Sequence, residues 1–173
     1  MEKILFVFEL DGTLMECKGT KHDELTAPLK LTDHVVTDSK GKKCRLYPEV
    51  KDILKKISAA NYSIAFASRT QNPDQTREIL RMFGIDKYAD VTAFNYLTKA
   101  EQIEFLSAQT EITHDKILFF DADRSHTEEI NLLGVKTYLI PDEGLTMDTF
   151  IVSMKNASLS FDLERLKITW GLG

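Results

Sequence analysis

Apolar residues along this chain fall into short unbroken runs, separated by stretches in which they recur every three or four positions. The runs are Ile4–Phe8, Ser63–Ala67, Ala89–Ala93, Ile117–Phe120 and Val135–Ile140. They are short and show no polar alternation, as expected of strands buried on both faces of a parallel sheet. The stretches between them read as helices. Val50, Ile53, Leu54 and Ile57 hold helical spacing behind Pro48, a residue suited to a helix start. Ile79, Leu80 and Phe83 mark a second helix over 74–83 that stops at Gly84, a natural C-terminal cap. Ala100, Ile103 and Leu106 mark a third, Ile130 and Leu133 before Gly134 a fourth, and Met147, Phe150, Ile151 and Met154 a fifth. Strand and helix in alternation predict an α/β fold with a mostly parallel central sheet in one domain spanning 1–173. Residues 158–173 are too weakly patterned to place.

Residues 14–47 break the alternation. They carry no long helical stripe, and Val35 to Leu46 reads as two short strands around the turn Ser39-Lys40-Gly41. The basic run Lys40-Gly41-Lys42-Lys43 falls in that turn and is expected to be solvated. An insertion directly after the first strand lies above the carboxyl edge of the sheet, where open α/β sheets bind ligands, and is read as a β-hairpin flap.

Length and composition narrow the picture only modestly. With 173 residues, 43% hydrophobic and 28% charged, the chain suits one well-buried domain. The net charge of −5 argues against a nucleic-acid or anionic-membrane surface, though it leaves room for a small basic pocket. The apolar N-terminal run is too short for a signal peptide or a membrane span and is followed at once by an acid, so a cytoplasmic location is expected. Cys17 and Cys44 form no CxxC pair and have no histidine at zinc-ligand spacing. Two reduced thiols, without a zinc site or a disulfide, are therefore expected.

Candidate chemistry collects just past the strand ends. Glu9 and Asp11 stand two apart on a chain leaving a strand, so their carboxylates point the same way, an arrangement that suits a hard cation such as Mg2+. Gly12 permits a sharp exit. Ser68-Arg69 after the second run combines a neutral and a charged donor for phosphate oxygens. Lys99 heads a helix, where its ammonium and the helix N-terminus both favour an anion. Phe119-Phe120-Asp121-Ala122-Asp123 delivers two further carboxylates from a buried strand.

This order of motifs resembles the haloacid dehalogenase (HAD) superfamily, and within it the small eukaryotic magnesium-dependent phosphatases. The resemblance covers roughly residues 3–155. It is carried by Val36-Thr37-Asp38, Leu46-Tyr47-Pro48-Glu49-Val50, Ala67-Ser68-Arg69-Thr70 and Phe119-Phe120-Asp121. It implies a Rossmann-like three-layer α/β/α sandwich with a minimal cap, and a phosphomonoesterase that forms an acyl-phosphate on the strand-1 carboxylate. By position, Glu9 stands where the nucleophile belongs, Asp11 is the acid/base, Ser68 and Arg69 bind substrate phosphate, and Lys99 balances charge. Mg2+ is expected against Glu9, Asp11, Asp121 and Asp123. The partner implied is a phosphate-bearing small molecule, such as a sugar phosphate, or a phosphoprotein carrying phosphotyrosine.

Two positions depart from the family. Glu9 replaces an aspartate, adding one methylene and roughly 1.5 Å of reach. Ala122 replaces the second of two consecutive aspartates, a metal ligand, which should weaken Mg2+; Asp123 and the longer Glu9 are the candidates to compensate. Farther along, Ser125 and His126 replace a basic residue and an asparagine, and His126 is expected to be a surface residue at a helix start. The phosphate-holding half is thus kept and the nucleophile and metal half altered. That pattern sets a slow Mg2+-dependent phosphatase against a pseudophosphatase that binds phosphate or a phosphoprotein without hydrolysis. A phosphoacceptor receiver domain would need neither Ser68-Arg69 nor the long insertion.

Overall fold

The computed structural model describes residues 2–168. In chain order the strands and helices are β1 (Leu5–Phe8), β2 (Met15–Cys17), β3 (Lys30–Thr32), β4 (Val35–Thr37), β5 (Lys43–Leu46), α1 (Val50–Ala59), β6 (Ser63–Arg69), α2 (Pro73–Phe83), β7 (Val91–Asn95), α3 (Lys99–Thr110), β8 (Ile117–Asp121), α4 (Arg124–Asn131), β9 (Lys136–Leu139) and α5 (Met147–Asn156). Strands β7-β6-β1-β8-β9 form a parallel five-stranded sheet in that spatial order. The chain runs outward from β1 through β6 to β7, then returns to the other side of β1 for β8 and β9. The crevice at that reversal is where such sheets bind ligands.

Two separate cores explain the unbroken apolar runs. Ile4, Phe6 and Phe8 of the first run face one side, where they pack with residues of α1, α2 and α5. Leu5 and Val7 face the other side, against Ile103 and Leu106 of α3 and Ile130 of α4. A strand covered on both faces has no solvent side on which to place polar residues. The α/β/α sandwich read from the sequence is thus observed, with all five helices in place. Gly84 ends α2 at φ 75°. A capping box, in which Thr98 accepts from the Glu101 backbone and Glu101 from that of Thr98, opens α3.

Two strands are displaced from their apolar runs. β7 begins at Val91 rather than Ala89, because Asp86–Tyr88 form a 3-10 turn and the Asp90 carboxylate accepts the Ile64 N–H at 2.9 Å. β9 is an edge strand trimmed to Lys136–Leu139. Of the weakly patterned tail, 158–168 lays Leu166 and Ile168 against the core; 169–173 lies outside the described residues.

The insertion contains more structure than a hairpin. β4 and β5 pair as expected, but β3 and β2 extend them into a four-stranded antiparallel sheet in the order β2-β5-β4-β3. Asp38 pins the hairpin turn by accepting the N–H groups of Thr26 at 2.9 Å, Lys40 at 2.9 Å and Lys42 at 2.7 Å. Those bonds, Thr26 foremost, hold its carboxyl below the ordinary range. Lys40, Lys42 and Lys43 are exposed, as a solvated turn requires.

The cysteines overturn an expectation. Cys17 on β2 stands opposite Cys44 on β5 with a Cα–Cα separation of 4.2 Å, and the two sulfurs are bonded. Antiparallel register brings together side chains that are 27 residues apart in sequence. Among the described residues no helix is long and apolar enough to cross a membrane.

Candidate active site

A cleft of about 570 Å³ opens at the carboxyl ends of β1, β6 and β8, lined by Glu9, Asp11, Ser68, Arg69, Asp121 and Asp123 among others. Of the residues expected at the site, Lys99 also reaches it from below, through its contact with Glu9.

Glu9 continues β1, donating its own N–H to Phe120 O at 3.0 Å. Its side chain curls back: Oε1 accepts the Leu10 N–H at 2.8 Å, and Oε2 pairs with the Lys99 ammonium. Burial, reinforced by the nearby Asp121 charge and opposed by Lys99, pushes the carboxyl above its ordinary range. Lys99 is itself buried at the first position of α3, where Nζ also donates to Ala67 O at 3.1 Å and Gln102 Oε1 at 3.2 Å. Gln102 secures that geometry from its amide end, donating to Ser68 O, Ala93 O and Asn95 Oδ1 at 3.1, 3.3 and 3.1 Å. The extra methylene of Glu9 therefore brings the carboxylate to the lysine.

Asp11 has a different partner. His22, in the 3-10 turn His22–Glu24 of the insertion, places Nδ1 2.6 Å from Asp11 Oδ2 and donates its backbone N–H to Oδ1 at 3.1 Å. The far ring nitrogen lies 2.9 Å from Thr76 Oγ1 on α2. Burial alone would lower the imidazole pKa, but the hydrogen bond and charge of Asp11 outweigh it, and His22 titrates above its ordinary value. The insertion is thus tied to the site by an ion pair. Sequence reasoning missed this residue.

The third acid, Asp121, accepts the Asp123 N–H at 2.8 Å, and His126 Nδ1 lies 2.8 Å from its other oxygen. His126 stands at a helix start, as expected, but it is half-buried and its ring is engaged rather than free in solvent. α4 starts at Arg124 with Asp123 as its N-cap, and that geometry turns the first-turn imidazole back onto the end of β8. The Asp121 hydrogen bond raises its pKa by more than partial burial lowers it. Asp123 accepts from Ser125 N at 2.8 Å and Ser125 Oγ at 2.6 Å. One ligand atom each from Glu9, Asp121 and His126 lies within 4.8 Å of the others. Asp11 and Asp123, also named from sequence as cation ligands, stand outside that group with partners of their own.

Ser68 is buried at the end of β6, and Arg69 beside it is exposed, its guanidinium carbon 5.5 Å from the Tyr96 ring centroid. Lys21 and Arg124 add two cationic side chains at the cleft rim that sequence reasoning did not select. Gly12 turns the chain at φ 78°, and a Cβ there would lie 3.0 Å from the Ala122 methyl. The loops after β1 and β8 therefore touch at Gly12 and Ala122, the position where the family carries a carboxylate.

Comparison with known proteins shows the family and the fold. The Acid Phosphatase family model matches residues 3–159. The chain is 31% identical to human Magnesium-dependent phosphatase 1 over 146 residues, covering 84% of this chain and 81% of that protein. Among solved structures, the N-terminal part of the protein BF1531 from Bacteroides fragilis, containing a phosphatase domain complexed with Mg, superposes with a TM-score of 0.61 at 16% identity. The match covers 91% of this chain and 42% of that one. CbbY from Rhodobacter sphaeroides in complex with phosphate gives 0.59 at 14% identity over 81% and 87% of the two chains.

Proposed function

Because this chain belongs to the Acid Phosphatase family, we propose that it is a slow magnesium-dependent phosphomonoesterase of the HAD superfamily that carries the phosphoryl group on Glu9. The observation behind the reading is the convergence of Glu9, Asp11, Ser68, Arg69 and Asp121 on one cleft, with the Lys99 ammonium against Glu9. A Glu9 oxygen bonds to phosphorus as the ester P–O bond breaks, and the departing alkoxide takes its proton through Asp11 from the His22 imidazolium paired with it. Asp11 then takes a proton from water, the resulting hydroxide attacks phosphorus, and inorganic phosphate leaves with the Glu9 carboxylate restored. The Ser68 hydroxyl and the Arg69 guanidinium hold the non-bridging oxygens, and Lys99 balances their charge. The side chains that fit a magnesium ion are the carboxylates of Glu9 and Asp121, hard oxygen donors close enough for the charge of one to act on the other. A bound cation would reduce the repulsion between carboxylate and phosphoryl group.

Two features support the expectation of slow turnover. Glu9 has to leave Lys99 before it can attack, and the carboxylate that Ala122 lacks no longer helps to fix the cation. The Glu9–Lys99 pair also supports a second reading, a pseudophosphatase that binds phosphate without hydrolysing its ester. Release of p-nitrophenol from p-nitrophenyl phosphate by the purified chain distinguishes the two. Turnover on adding magnesium, halted by EDTA, is expected. Phosphate binding in calorimetry with no hydrolysis above blank would refute the enzyme and favour the binding module. The natural substrate class is a phosphate ester on a small molecule or on a protein.

A further inference from the structure

Among the cleft residues to which the HAD resemblance gives no role is His126, whose imidazole reaches the position where a cation would sit. We propose that this position is a mixed nitrogen–oxygen site, formed by Glu9, Asp121 and His126, that takes a borderline first-row ion such as zinc in preference to magnesium. The inference rests on the cleft being a cation site, as the phosphatase reading also requires, and goes beyond it in naming a third ligand and a different ion.

Three observations carry it. First, the ligand atoms lie within 4.8 Å of one another. Donors bonded to a zinc-sized ion at about 2.0–2.2 Å lie roughly 3–4 Å apart, so side-chain shifts on the order of 1 Å close the set. Second, a carboxylate stands near the outer ring nitrogen, though beyond hydrogen-bond length. Nδ1 faces the cluster, 2.8 Å from Asp121, while Nε2 faces the Asp123 carboxylate at 3.7 Å. A metal-bound imidazole is ordinarily oriented by an acceptor for its other N–H, and Asp123 is held in that position by two contacts to Ser125. Third, Ala122 offers no donor, and its methyl packs against Gly12. His126 therefore supplies the third protein ligand from the next helix.

The donor types then decide the ion. Magnesium favours an all-oxygen octahedron and keeps much of its water. An imidazole with two carboxylates favours ions later in the first row, with zinc well above manganese. The lysine does not prevent this. When Glu9 turns to a cation, Lys99 Nζ keeps its bonds to Ala67 O and Gln102 Oε1.

The test is calorimetric titration of the metal-stripped full chain with zinc chloride and separately with magnesium chloride, alongside visible absorption of the cobalt-loaded protein. Zinc should bind at least tenfold more tightly than magnesium. His126→Ala should weaken zinc by tenfold or more and change the cobalt spectrum. His126→Asp, which returns the site to oxygen donors, should move the preference toward magnesium; it also answers for any loss of folding in the alanine variant. Equal zinc and magnesium affinities, or zinc binding and a cobalt spectrum that both variants leave unchanged, would overturn the inference. Native turnover with magnesium alone is read separately. Turnover without any His126 effect on zinc binding sinks this inference and spares the phosphatase, whereas His126-dependent zinc binding without turnover does the reverse.

Discussion

Shortening Glu9 to aspartate tests the account of the site most directly. In the native chain the carboxylate is drawn onto Lys99 and the Leu10 N–H by a two-methylene side chain. Glu9→Asp withdraws it by about 1.5 Å, the length of one carbon–carbon bond. A misplacement of about 1 Å at a reacting centre costs on the order of a hundredfold. Restoring the shorter side chain should therefore raise kcat by roughly a hundredfold, equivalent to about 2.7 kcal/mol of barrier. The assay is initial rates on p-nitrophenyl phosphate at saturating magnesium, with thermal melts followed by circular dichroism to establish that both proteins are folded. Adding Ala122→Asp should tighten magnesium further, although its new carboxylate must find space beside Gly12. A folded Glu9→Asp protein whose rate stays within about threefold of native would refute the reasoning. It would mean that reach at position 9 is not what limits the chemistry.

Glu9→Gln keeps the length but removes the charge. It leaves the Lys99 ammonium buried without its anion, so urea denaturation should show a loss of about 3–5 kcal/mol, and turnover should disappear with the nucleophile. His22 titrates above its ordinary 6.5 because Asp11 stabilises its charged form, so its contribution to stability is complete below that value and is lost as pH rises through the raised pKa. The melting-temperature gap between native protein and His22→Gln should therefore narrow with rising pH; a gap that does not change with pH would disprove the pairing. Reducing Cys17–Cys44 opens a crosslink between residues 27 apart, worth up to about 3.5 kcal/mol by loop entropy. Melts with and without dithiothreitol should show that loss, and an unshifted melt would show that the thiols are not bonded in solution.

How much could be read from the sequence depended on where the determining contact lies. The buried strands β1, β6 and β8 declare themselves because burial on both faces removes every polar option from four or five consecutive positions. β3 could not be found, because Lys30, Leu31 and Thr32 are all exposed and its pairing to β4 rests on backbone bonds. The expected site residues do meet at one cleft, since strand ends in a parallel sheet share an edge. His22 was invisible because its role depends on the insertion folding back onto α2, which no local pattern records. His126 was closer to legible: an aspartate N-cap three residues before a histidine puts that ring on the first turn, beside the strand end that precedes it. The cysteine pair required the β2–β5 register, and spacing alone does not supply that.

Each acid at the centre of the cleft has its own base: Glu9 has Lys99, Asp11 has His22 and Asp121 has His126. These three pairs are neutral in themselves, so a divalent cation that enters among the acids has to break one, while Lys21, Arg69 and Arg124 at the rim leave positive charge for a phosphate. Where the cation takes Glu9, the Lys99 ammonium that it releases becomes a further partner for that phosphate. Ester and metal are then mutual effectors, each raising the affinity of the other by the same factor. Charge matching inside the fold thus becomes a coupling between cation and phosphate.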